Sequence, residues 1–94
     1  MSTANWERKD VDRGIREMIV KLLMLTGTAP EAIRPDQPGF FTDLGATSID
    51  TMELFLAVEK NYGFQFDAAE LNPGLLTTLD GFVDVVHAKL QGNG

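Results

Sequence analysis

From Val11, apolar side chains recur through Ile15, Met18, Ile19, Leu22 and Leu25, with charged residues filling the positions between. Spacings of three and four are the period of a helix with one buried stripe, and they predict a helix from about Glu7 to Leu25. Gly27 is placed to cap its end and Pro30 to stop it. The next stretch, TAPEAIRPDQPGFFTD over residues 28–43, carries three prolines and a glycine. Those residues favour turns, so it is predicted as a long loop, with Ile33, Phe40 and Phe41 as its pins. Helix signals return at Thr47, where Thr-x-x-Asp approximates a capping box with Asp50, and run through SIDTMELFLAVEKNY to Gly63. FDAAEL reads as a single helical turn and NPG as a turn. A last helix opens at Thr77 or Thr78 and lines Leu79, Phe82, Val83, Val86 and Leu90 along one face.

No stretch alternates with the period of a strand and no repeat appears, so the expected fold is all-α. It is a small bundle of three main helices plus one short helix, with the long loop between the first and second. Chains of this length bury one core, so residues 1–94 are read as a single domain with its core over about 7–91.

The middle helix has two apolar faces. Counting about 100° per residue from Ile49 as zero, Leu54, Phe55, Val58 and Tyr62 fall between about 140° and 240° and form the core stripe. Met52 and Leu56 fall at about 300° and 340° and join Ile49 in a second stripe on nearly the opposite side. The bland reading is that the long loop or the FDAAEL turn covers this second stripe. Against it, Glu53, Glu59 and Lys60 flank or interrupt the stripe, and charged side chains are seldom fully buried. An exposed apolar stripe with an acidic rim is then a surface for a partner, because such side chains are left in water mainly when something later covers them.

Composition narrows the chemistry. With 14 acidic against 8 basic side chains the net charge is −6, which repels a phosphate backbone and argues against nucleic acid as a partner. There is no cysteine, so disulfides, thiolate nucleophiles and Cys-ligated metals are excluded. The N-terminal stretch lacks the apolar run of a secretory signal, and no segment approaches a membrane span, so a cytoplasmic protein that does not enter membranes is expected.

Ser48 is the residue with open chemistry. A serine nucleophile needs a base and oxyanion donors, and the one histidine, His87, reads as a surface residue near a helix C-terminus. A Ser48–His87 hydrolase is therefore disfavoured. Serine at a helix start is commonly structural. If Thr47 is the cap, however, Ser48 is the first helical residue, and its hydroxyl faces solvent at the positive end of the helix dipole, where a phosphate ester is well placed.

The stretch DLGATSID followed by TMEL resembles the attachment motif of acyl carrier proteins, in which Asp-Leu-Gly, two residues and Ser-Leu-Asp open the second helix. The upstream FFTDLG, the downstream LLTTLDGFVDVV and the order helix, long loop, helix extend the likeness over nearly the whole chain. The resemblance implies that a phosphopantetheinyl transferase moves phosphopantetheine from coenzyme A onto Ser48, and that the arm's thiol carries acyl groups as thioesters. It makes Asp43, Gly45, Thr47 and Asp50 the surroundings of the attachment point, Gly45 permitting a tight approach to the helix. It also makes Ile49, Met52, Glu53, Leu56 and Glu59 the surface that meets acyl-loading, condensing or modifying enzymes. A sulfur supplied by a cofactor accounts for a chain without cysteine.

Three features differ from the family pattern. Thr47 stands where aspartate is usual, Ile49 where leucine is, and AAELNPGLL is about two residues longer. The expected function is thus a monomeric, free-standing, non-enzymatic acyl carrier of fatty-acid or polyketide-type biosynthesis, antibiotic assembly included. Thr47 keeps open a peptidyl or aryl carrier of nonribosomal peptide synthesis. A helical interaction module without a cofactor is the alternative from another class.

Overall fold

The computed structural model describes residues 6–92. Residues 1–5 and 93–94, on which the expectation of a free-standing chain rests, lie outside the described residues. Among the described residues there is no strand. Four α-helices, α1 (Arg8–Leu22), α2 (Phe40–Asp43), α3 (Ser48–Tyr62) and α4 (Leu79–Gly92), are joined by short 3₁₀ turns at Pro30–Ala32, Ala68–Glu70 and Pro73–Leu76. The all-α bundle is as expected, with three long helices.

One apolar cluster holds the helices together. The stripe of α1 buries Val11, Ile15 and Ile19 against Leu54, Phe55 and Val58 of α3 and Leu79, Phe82, Val83 and Val86 of α4. Phe55, Phe66 and Phe82 meet with ring centroids 5.4 to 6.0 Å apart, spacings at which aromatic pairs add to simple area burial. The core contains no buried charged or polar residue among those described.

The first helix stops earlier than its apolar period suggests. Met24, with φ of 54°, takes the left-handed capping position expected of Gly27, which is also left-handed (φ of 81°) but lies three residues further on. The Met24 N–H donates to the Lys21 carbonyl and the Leu25 N–H to the Val20 carbonyl, closing the helix after Leu22. The predicted boundary at Leu25 failed because helix caps usually reserve that conformation for glycine, and here a methionine takes it.

Residues 28–43 are more structured than a loop. Phe40 and Phe41 are buried, as is Ile33, and the two phenylalanines sit in α2, a helix of four residues that is too short to display a period. Three ties hold the segment. Arg16, paired with Asp12, donates to the carbonyls of Pro30 (2.9 Å) and Ile33 (2.7 Å). The Asp80 N–H, left free by the start of α4, donates to the Pro35 carbonyl, and the Gly39 N–H donates to the Thr77 carbonyl. Thr78 caps α4 by accepting the Gly81 N–H at 3.0 Å.

Arg16 is mostly buried and serves two carbonyls at once. Hydrogen bonds to charged groups are worth more than neutral ones, so Arg16→Ala is expected to lower stability by about 2 kcal/mol in urea unfolding. A loss no larger than that of an exposed surface change would show that the loop holds itself without this tie.

After α3 the chain turns at Gly63, which has φ of 79°, and FDAAEL forms the single turn expected, tightened into 3₁₀ geometry. Lys89 of α4 reaches back to Glu70 at 2.9 Å, and that hydrogen bond holds the Glu70 carboxyl below its ordinary range. NPG opens another 3₁₀ turn, with Asn72 accepting the Gly74 N–H.

Candidate functional site

The entrance to α3 is built from two linked devices. Gly45, with φ of 94°, follows α2 in the left-handed conformation; its N–H donates to the Thr42 carbonyl, and the Ala46 N–H donates to the Phe41 carbonyl. These bonds end α2 and turn the chain toward α3 across the four residues that separate the two helices. A side chain added at Gly45 would meet nothing within 4 Å, so the tight approach to α3 that the resemblance implies rests on the glycine's left-handed backbone angle and not on space for a Cβ. Gly45→Ala is expected to cost about 1 to 2 kcal/mol in thermal or urea unfolding, the penalty for a left-handed Cβ-bearing residue.

Thr47 is the N-cap, and the capping box anticipated from the sequence is formed. Thr47 Oγ1 accepts the Asp50 N–H at 3.3 Å, while Asp50 Oδ2 accepts the Thr47 N–H at 2.9 Å and its hydroxyl at 3.2 Å. The Thr51 hydroxyl donates to the Thr47 carbonyl at 3.3 Å. A threonine at position 47 thus acts as a cap without an acid, and the Asp50 carboxylate is occupied by the threonine's own groups.

These bonds leave one hydroxyl uncommitted. Of Thr47, Ser48 and Thr51, only Ser48 has a side chain without a hydrogen bond among the described residues, and it is exposed. It is the first residue of α3, whose axis gives the site partial positive charge. The backbone N–H groups of Ser48 and Ile49 also have no protein acceptor among the described residues. Exposed oxygen, room around it and free donors beside it fit a phosphodiester at Ser48 Oγ.

Asp43, at the end of α2, is exposed and accepts from Gln37 Nε2. Gln37 carries no local signal that would single it out; the tie forms because α2 folds the loop back on itself. His87 is not the surface residue expected. It is partly buried on α4, and its Nε2 donates to the Trp6 carbonyl at 2.9 Å, anchoring the chain that leads into α1. Its ring is engaged there and makes no hydrogen bond to Ser48.

The second stripe of α3 is uncovered. Ile49 is 69% exposed, Met52 47% and Leu56 59%, whereas Leu54, Phe55 and Val58 on the opposite face are buried. Neither the long loop nor the 3₁₀ turns fold over it. Glu53 is exposed beside it. Glu59 is partly buried, and its Oε2 accepts the Phe66 N–H at 2.8 Å, a structural use that the helical wheel did not reveal. The stripe begins one residue after Ser48 and runs to Leu56, about 10 Å along the axis at 1.5 Å per residue.

The family model described as the phosphopantetheine attachment site matches residues 13–86. The acyl carrier protein of Nitratidesulfovibrio vulgaris (strain DSM 19637 / Miyazaki F) is 37% identical over 54 residues, covering 56% of this chain and 70% of that protein. No solved structure matches the chain.

Proposed function

The chain belongs to the acyl carrier protein family, whose domain is the site of covalent phosphopantetheine attachment, and on that footing we propose that Ser48 bears the arm. The observation that carries this reading is the uncommitted, outward-facing Ser48 hydroxyl between two threonines whose hydroxyls are both engaged. Once attached, the arm supplies a thiol on a flexible tether that holds acyl groups as thioesters. The chain's own residues position it. Gly45 and the Thr47–Asp50 box fix the start of α3, Asp43 lies at the end of α2, and the helix N-terminus favours the phosphodiester's negative charge.

The cargo is proposed to be an acyl intermediate of fatty-acid or polyketide-type biosynthesis, delivered in turn to loading, condensing and modifying enzymes. Ile49, Met52 and Leu56 form the docking stripe. Glu53 supplies charge that speeds encounter with a basic partner, and Glu59 stands farther along the same side. Docking is weak, because a carrier that serves several enzymes must leave each of them quickly. The protein carries and does not catalyse. It acts as one domain, a reading supported by the single core cluster among the described residues, and as a cytoplasmic monomer.

The test is loading. Incubation with coenzyme A and a promiscuous phosphopantetheinyl transferase adds one arm to the intact mass. The loaded protein then accepts malonyl groups from a malonyl-transferring enzyme. Loading only by amino-acid-activating enzymes would overturn the acyl assignment in favour of a peptidyl carrier, and the absence of any added mass would remove the carrier reading itself.

A further inference from the structure

We propose that Met52 is an oxidation site that controls docking: a peroxide-class oxidant converts its thioether to the sulfoxide and places a polar group in the middle of the α3 stripe. The inference rests on the docking role proposed above for that stripe.

The sulfur inventory of the chain points to this residue. There are four methionines and no cysteine, so before the arm is attached the thioethers are the chain's only sulfur atoms. Met18 is partly buried against the core. Met24 is 78% exposed but sits in the turn that ends α1. Among the described methionines, Met52 alone combines solvent access with a place in the uncovered apolar face, three residues after Ile49 and four before Leu56. It does not belong to the buried core.

A leucine at position 52 would offer similar apolar area. The unbranched thioether differs in two ways. It bends to fit surfaces of different shape, which suits a stripe that meets several enzymes in turn, and its sulfur is oxidisable. A sulfur lone pair attacks one peroxide oxygen and the O–O bond breaks. The departing hydroxide takes the proton of the transferred hydroxyl and leaves as water. The sulfur loses two electrons and the peroxide gains them. The product is polar and a strong acceptor, so the stripe is divided between Ile49 and Leu56 while the fold is untouched.

The experiment uses apo protein, so that the arm's thiol does not compete for oxidant. Wild type, Met52→Leu and Met24→Leu are each treated with hydrogen peroxide, and sulfoxides are located by peptide mass. A promiscuous phosphopantetheinyl transferase with coenzyme A serves as the docking partner, and the rate of arm addition is read for each protein against its own unoxidised form. Oxidation is expected to lower kcat/KM about tenfold in wild type and in Met24→Leu, as removal of one apolar contact would. Oxidised and unoxidised Met52→Leu are expected to react alike. Methionine sulfoxide reductase should restore the oxidised proteins, and thermal unfolding should be unchanged throughout. An unaltered rate in protein shown to carry the Met52 sulfoxide, or equal slowing in Met52→Leu, would overturn the proposal. If the unoxidised protein takes no arm at all, the carrier reading fails first and this inference falls with it.

Discussion

Ser48→Ala is expected to gain no mass when incubated with coenzyme A and a promiscuous phosphopantetheinyl transferase, under conditions in which the unaltered protein gains one arm. The effect is total because the modification needs an oxygen at that position, and the neighbouring hydroxyls are tied down. Thr47 Oγ1 serves the capping box, and the Thr51 hydroxyl is bonded to the Thr47 carbonyl. The same change should leave the fold intact, since the Ser48 side chain is exposed and makes no hydrogen bond among the described residues. Surface changes of this kind stay within about 0.5 kcal/mol, so circular dichroism and urea unfolding should separate a lost attachment point from a lost structure. Residual loading of the variant would place the arm elsewhere.

Leu54→Ala is expected to cost about 2 to 5 kcal/mol of stability, whereas Leu56→Ala, two residues away on the same helix, should cost about 0.5 kcal/mol or less. Leu54 is fully buried in the cluster shared by α1, α3 and α4, and truncating it leaves a cavity that surrounding side chains fill only in part. Leu56 is 59% exposed and fills no space in the interior. Its truncation should instead slow loading by a partner enzyme. Equal destabilisation by the two changes, measured in urea, would mean that the second stripe of α3 is core in solution and not a docking surface.

The parts of this fold that follow from short-range chemistry were legible in the sequence. Three long helices announced themselves through apolar spacing, and the start of α3 through a cap and its reciprocal partner three residues on. The two faces of α3 could be separated by angle alone, because the core stripe and the exposed stripe lie nearly opposite. Ile33, Phe40 and Phe41 were visible as anchors of a proline-rich segment that had few other apolar residues to bury.

What escaped depends on contacts between distant segments, or on a residue acting against type. Met24 takes a backbone conformation usually left to glycine, so α1 ends three residues before its apolar period predicts. α2 is one turn long and exists because two phenylalanines are buried and because Gly39 and Gly45 bracket it. The ties from Arg16 to Pro30 and Ile33, and from Asp80 to Pro35, join parts of the chain that share no local pattern. Glu59 looked like a free rim charge on a helical wheel, yet its partner, the Phe66 N–H, comes from beyond the helix. His87 likewise finds the Trp6 carbonyl at the far end of the sequence. At the start of α3, the family resemblance singled out the serine. The structure adds the reason it is available: threonine at position 47 keeps Asp50 and itself occupied.

The most direct test of this account is to locate the arm on the loaded wild-type protein by peptide fragmentation. A single phosphopantetheine ester on Ser48, with Thr47 and Thr51 unmodified, is the predicted result. An arm found on another hydroxyl, or a protein that stays unmodified in the presence of active transferase and coenzyme A, would contradict it.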